Sequence, residues 1–157
     1  MRVGHGFDAH RFSDDSSRPL WLGLVKIGDE RGLDGHSDAD VATHALCDAL
    51  LGAATLGDLG RHFPDGDANW RGVASAELLL RVLSMVRDNG FVVESADVTI
   101  VAQQPRLSPY FVAMGEALTA ALGVPTAVKA TTTDGLGAVG RGEGIAASAV
   151  VLLRDAS

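Results

Sequence analysis

Apolar residues fall in short blocks between glycine-rich polar turns, and their period changes along the chain. Met1–Asp8 mixes apolar and polar residues and reads as a strand, and Leu20–Ile27, after the polar loop Ser13–Arg18, is an apolar run of strand length. Ser37–Ala54 takes a helical period: Ala42, Ala45, Leu46, Ala49, Leu50 and Ala53 form one stripe. Ser37 followed by Asp40 resembles a capping box with Asp in place of Glu. Gly57–Trp70 is a Gly/Asp/Pro loop. Ser75–Asn89 predicts a second helix, with Ser75 as its cap and Gly90 just past its end. Ser108–Leu122 predicts a third, with Ser108 capping, Pro109 at the first position and Gly123 closing it. Phe91–Ala102, Ala127–Thr132 and Ile145–Leu153 read as strands.

Helices and strands alternate here without a regular βαβ beat. The order predicts one α+β domain over residues 1–157, a mixed sheet covered by helices on one face. The last strand is apolar at nearly every position, so its second face needs a cover, and other subunits would provide one.

Composition narrows the function. Thirteen Lys and Arg against twenty Asp and Glu give a net charge of −7, which disfavours nucleic-acid binding. A phosphorylated substrate would then need metal ions to attract it. Cys47 is the single cysteine, so no intramolecular disulfide forms. No apolar run reaches the ~20 residues of a membrane helix, and the first eight residues lack an apolar signal region.

His5-Gly-Phe-Asp8-Ala-His10 places Asp8 and His10 on one face of an extended chain. His36-Ser37-Asp38-Ala39-Asp40 follows, with His44 one helical turn beyond Asp40, flanking the apolar stripe. Asp8, His10 and His44 together would make a two-His, one-carboxylate site with an open position, the pattern of a working zinc. Isolated residues of these kinds are commonly solvated or cap turns. Four of the five histidines lie at positions 5, 10, 36 and 44, which brings metal binding level with that reading.

Lys129-Ala130-Thr131-Thr132-Thr133-Asp134 leaves a strand for a glycine-rich turn. Its hydroxyls, Lys and acid suit phosphate oxygens and a hard cation, although Thr also favours strands for its own sake. Asp58-Leu-Gly60 and Phe63-Pro-Asp65 offer acids and a tight turn for sugar hydroxyls, or form an ordinary loop. Gly140–Gly144 lacks the dinucleotide-binding spacing, and there is no G-x-S-x-G or P-loop.

Six motifs in order complete the picture: GHGFDAH (4–10), GHSDADVATHALCDALLGA (35–53), GDLGRHFPD (57–65), DVTIVAQQP (97–105), KATTTD (129–134) and GRGEGIA (140–146). Over nearly its whole length the chain resembles the 2-C-methyl-D-erythritol 2,4-cyclodiphosphate synthase family of the non-mevalonate isoprenoid pathway. The resemblance implies a bacterial cytoplasmic homotrimer with active sites between subunits. It implies one zinc per site on Asp8, His10 and His44. Mg²⁺ or Mn²⁺ would accompany the substrate diphosphate near Asp134. The substrate would be 4-diphosphocytidyl-2-C-methyl-D-erythritol 2-phosphate, whose 2-phosphate attacks the β-phosphorus and expels CMP. By the same resemblance His36 and Ser37 hold the 2-phosphate side, with His36 and Thr132 at the reacting centre. Asp58, Gly60, Phe63 and Asp65 line the sugar. Ala102, Pro105, Arg106, Leu107, Thr131, Thr133 and Asp134 serve the cytidine diphosphate from the neighbouring subunit.

Three positions depart from the family pattern. Asp134 stands where Glu is common, Arg106 where Lys is common, and Ala138 where an aromatic residue is frequent beside a central cavity. In some members that cavity holds an isoprenoid diphosphate, with Arg141 at its mouth. Two other functions are alternatives: a zinc-dependent phosphohydrolase that uses the same ligands to activate water, and a non-catalytic trimer that binds isoprenoid diphosphates through the apolar strands and Arg141.

Overall fold

The computed structural model describes residues 1–157. Strand β1 (Arg2–Arg11) is followed by β2 (Pro19–Leu22) and β3 (Val25–Arg31), then helix α1 (Val41–Ala53) and a short α2 (Leu59–His62). Helix α3 (Ser75–Asp88), β4 (Phe91–Val101), α4 (Phe111–Leu122), β5 (Thr126–Thr131), a single turn α5 (Gly137–Gly140) and β6 (Gly144–Asp155) complete the chain. The main sheet runs β1-β6-β4-β5; β6 is antiparallel to both neighbours and β4 pairs parallel with β5, so the sheet is mixed, as expected.

Alternation assigns the faces. Gly4, Gly6, Asp8 and His10 of β1 point to the helical layer with Ile145, Ala147, Ala149, Val151 and Leu153 of β6 and Ala96, Val98 and Ile100 of β4. Helix α1 lies directly on β1 and β6. A Cβ on Gly4 would fall 2.0 Å from the Ala49 carbonyl oxygen, so only glycine permits the approach. The opposite sheet face is open: Val3, Phe7 and Val150 are exposed, and Phe7 is 60% accessible.

The expected stripe on α1 understates its burial. Eleven of its thirteen residues are buried, because α3 and β2 pack on the sides the sheet does not cover. The predicted strand Leu20–Ile27 is a hairpin instead, turning at Gly23 and Leu24, both with positive φ. The Gly57–Trp70 loop contains α2 and a 3₁₀ turn at Ala68–Trp70.

The caps also differ from expectation. Asp40, not Ser37, caps α1, taking hydrogen bonds from the Thr43 amide at 3.0 Å and the Thr43 hydroxyl at 2.7 Å. The same carboxylate accepts the Gly23 and Leu24 amides, so it ties the hairpin turn to the helix start. Ser75 is the first residue of α3, and Ala74 precedes it without a side-chain cap. Ser108 opens a 3₁₀ turn ahead of α4 and accepts from Arg106 Nε, while Gly123 ends α4 with φ of 74° as predicted.

Candidate metal centre and active site

The close seat of α1 on β1 decides what meets at its N-terminal end. Asp8 follows Gly6 on the same strand face, and His44 precedes Ala45 on the helix. Asp8 Oδ2 lies 3.0 Å from His10 Nε2 and 3.1 Å from His44 Nδ1. One ligand atom from each of the three residues falls within 4.8 Å of the others.

Outer partners fix the two imidazoles through opposite nitrogens. His10 Nδ1 donates to the Asp34 carbonyl oxygen at 2.6 Å, which leaves Nε2 facing Asp8. His44 Nε2 faces the hydroxyls of Ser37 at 3.1 Å and Ser75 at 3.0 Å, which turns Nδ1 inward. A carboxylate oxygen and two imidazole nitrogens converging with anchored rings fit a divalent cation.

The electrostatics agree with a site built for positive charge. Burial favours the neutral form of Asp8, but hydrogen bonds and charge from His10 and His44 prevail and hold its carboxyl well below the usual range. The hydrogen bond to Asp8 pulls His10 upward against its own burial. Asp48, one turn beyond His44, is pushed up chiefly by burial, although it accepts the Leu59 amide at 2.8 Å. Complete burial raises the Cys47 thiol, so Cys47 packs the core and is no nucleophile.

Two cavities divide the predicted site residues. The first, about 320 Å³, is lined by Asp8, His10, His36, Ser37, His44, Gly60, Phe63 and Asp65 among others, and carries no Lys or Arg. Sequence reasoning did not include its remaining walls, among them Asp48 and Trp70; Trp70 meets Phe63 edge-on with centroids 4.9 Å apart. Asp58 caps α2 by accepting the Arg61 amide and does not line this cavity.

The second cavity, about 650 Å³, is lined by Ala102, Pro105, Arg106, Leu107, Thr131 and Thr132, joined by Glu30, Ser108 and Phe111. Thr133 and Asp134 follow Thr132 in the chain but do not line it, and the Asp134 amide donates to Thr132 Oγ1 at 3.2 Å. No residue lines both cavities. Arg141 lines neither and pairs with Glu143 at 2.8 Å.

A profile described as the YgbB family matches residues 1–154. The chain belongs to the YgbB family. A relative named 2-C-methyl-D-erythritol 2,4-cyclodiphosphate synthase from Nitrosococcus oceani is 56% identical, with 99% of each chain covered. One of the same name from Vibrio cholerae is 54% identical, again with 99% of each covered. Among solved structures, a 2C-methyl-D-erythritol-2,4-cyclodiphosphate synthase in a CDP-bound form superposes with a TM-score of 0.87 at 36% identity, covering 98% of this chain and 100% of that one. The bifunctional IspDF of Campylobacter jejuni superposes with a TM-score of 0.93 at 41% identity; 98% of this YgbB chain matches 42% of that longer protein.

Proposed function

We propose that this YgbB chain is a phosphorus–oxygen lyase of the bacterial cytoplasm. It converts 4-diphosphocytidyl-2-C-methyl-D-erythritol 2-phosphate into 2-C-methyl-D-erythritol 2,4-cyclodiphosphate and CMP. The observation that carries this reading is the convergence of Asp8, His10 and His44 at one cavity, in a chain whose full-length relatives bear that synthase's name.

The chemistry is internal to one substrate. An oxygen of the 2-phosphate forms a bond to the β-phosphorus, the bond from that phosphorus to the bridging oxygen breaks, and CMP leaves with the bridging oxygen. No water is consumed. The obstacle is an anion approaching an anion, so the protein's work is positioning and charge compensation.

Asp8, His10 and His44 would hold Zn²⁺, which when bound supplies Lewis-acid charge for the β-phosphate. Mg²⁺ or Mn²⁺ would arrive with the substrate diphosphate, beside Asp134. Ser37 Oγ accepts from the Ala39 amide and stands 3.1 Å from His44 Nε2, so its hydroxyl proton is free for a phosphate oxygen. His36 shares this wall as donor to the 2-phosphate and stabiliser of the transition state. Gly60, Phe63 and Asp65, with Asp58 behind them, bound the methylerythritol. Thr132 contacts the reacting phosphates. Ala102, Pro105, Arg106 and Leu107, with Thr131, Thr133 and Asp134, hold the cytidine diphosphate.

The working unit is a homotrimer in which the first cavity of one chain meets the second cavity of its neighbour. Three features support this: the open sheet face, a first cavity without Lys or Arg, and Arg106 in a cavity that shares no wall with it. Isoprenoid diphosphate binding between the packed sheets, with Arg141 as anion partner, belongs to the same reading.

Product analysis tests it. Phosphorus NMR of the complete reaction is expected to show CMP and a cyclic diphosphate in equal amounts. CMP with a linear diphosphate would establish hydrolysis by activated water instead. Undiminished turnover after complete metal removal would overturn the metal-assisted route.

A further inference from the structure

We infer that Asp38 and Ser75 are positioning residues for the metal, orienting His44 through an Asp38–Ser75–His44 relay. The inference rests on the metal reading above and adds to it two residues outside both cavities.

Ser75 is 0% exposed at the first position of α3, remote in sequence from every ligand. Its amide donates to Asp38 Oδ2 at 2.9 Å, and its hydroxyl donates to Asp38 Oδ1 in a short contact. A carboxylate only accepts, so the hydroxyl proton is committed to Asp38. Toward His44, Ser75 Oγ can therefore only accept, and it lies 3.0 Å from Nε2. His44 must carry hydrogen on Nε2, which leaves the Nδ1 lone pair for a cation beside Asp8 Oδ2.

The relay does two things for a ligand. It blocks a half-turn of the imidazole, which would exchange the nitrogens. It also ties the outer side of the ring, through the Ser75 hydroxyl, to the carboxylate of Asp38, so the ligand is anchored to a charged group inside the fold. His10 is held differently, by a neutral backbone carbonyl of Asp34. Only His44 is tied to a carboxylate on its outer side, and only through a residue that also docks α3. Seating that helix and orienting the ligand are one structural event.

The test compares Ser75→Ala, Ser75→Thr and Asp38→Asn with the wild-type chain. Zinc affinity is read by competition with a chromophoric chelator, and site geometry by the visible absorption of the Co²⁺-loaded protein. Thermal unfolding of the metal-free proteins monitors folding. Ser75→Ala should weaken zinc binding about 10–100-fold. Asp38→Asn should weaken it less and alter the Co²⁺ spectrum, and Ser75→Thr should recover affinity by restoring the hydroxyl. Wild-type zinc affinity in both Ser75→Ala and Asp38→Asn would overturn the inference and leave the metal reading standing. A loss confined to Ser75→Ala, matched by loss of metal-free stability, would mark the contact as structural only and also overturn it. Failure of the wild-type chain to take up zinc would remove the metal reading, and the inference with it.

Discussion

A side chain on Gly6 would place its Cβ 1.9 Å from the carbonyl oxygen of Ala45. This contact sets the distance between β1 and α1, and hence between their next functional residues, Asp8 and His44. Gly6→Ala must push the helix outward, at a cost of roughly 1–3 kcal/mol for overpacking. We expect a lower urea midpoint and weakened zinc uptake together. Unchanged zinc affinity in a destabilised variant would show that the ligands are positioned independently of this contact.

Removing a ligand should separate chemistry from folding. His44→Ala takes away one of three donors while the core of α1 stays buried, so zinc uptake and cyclisation should both be lost. Elemental analysis after dialysis, with circular dichroism as the folding control, checks this. A zinc-loaded, active variant would exclude His44 as a ligand.

Part of this site is legible in the letters alone. Asp8 and His10 share a face because strands alternate, and a His one turn beyond a helix-capping Asp comes to the end of that strand if the helix packs antiparallel to it. What one sequence does not reveal is which hydroxyl or carboxylate serves which partner. Ser37 and Ser75 both have the letters of a helix cap, yet both face His44 Nε2, because Asp40 takes the cap of α1 while also gathering the hairpin turn. Leu20–Ile27 reads as one strand because Leu24, at φ of 67°, carries no turn signature of its own. In each case long-range packing, not local propensity, made the choice.

The metal-free and zinc-loaded proteins should respond oppositely to pH. Hydrogen bonding to Asp8 raises His10 above its ordinary 6.5, so the pair's contribution is full below that value and is lost as pH rises through the higher folded one. Asp8 is depressed, so its contribution is present above its ordinary 3.8 and lost as pH falls toward the folded value. Zinc needs His10 deprotonated, so its binding tightens with rising pH. Saturation at a hundredfold above Kd adds about 2.7 kcal/mol. Urea midpoints measured with chelator and with zinc should therefore diverge as pH rises through and above 6.5. A constant gap would contradict proton displacement from His10.

Asp48 gives a test in the other direction. Burial raises its carboxyl, so the folded chain holds that proton more readily than the unfolded one and loses stability as pH climbs through the carboxylate range. Asp48→Asn keeps an acceptor for the Leu59 amide and removes the buried charge. It should match or exceed wild-type stability at neutral pH, with the difference vanishing in acid. Asp48→Ala should instead cost about 1–3 kcal/mol by leaving that amide unpaired. Equal destabilisation by both variants would show that charge burial is not what matters there.

The open sheet face predicts a change of assembly. Phe7→Asp puts a charge on this face, on the edge strand β1, without touching the helical layer, so the fold should survive and a homotrimer packed through the face should dissociate. Sedimentation equilibrium reads the outcome directly. A variant that keeps the wild-type mass would place the subunit contact elsewhere.

The absence of Lys and Arg from the first cavity has a consequence for how defects combine. If Arg106 answers the metal triad across a subunit boundary, each catalytic unit draws its halves from different polypeptides. Two dead proteins, one altered at Asp8 and the other at Arg106, would then rescue each other when refolded as a mixture, because some boundaries join two undamaged halves. The same division would make specific activity fall on dilution, and would make a defective copy a poison to its sound neighbours.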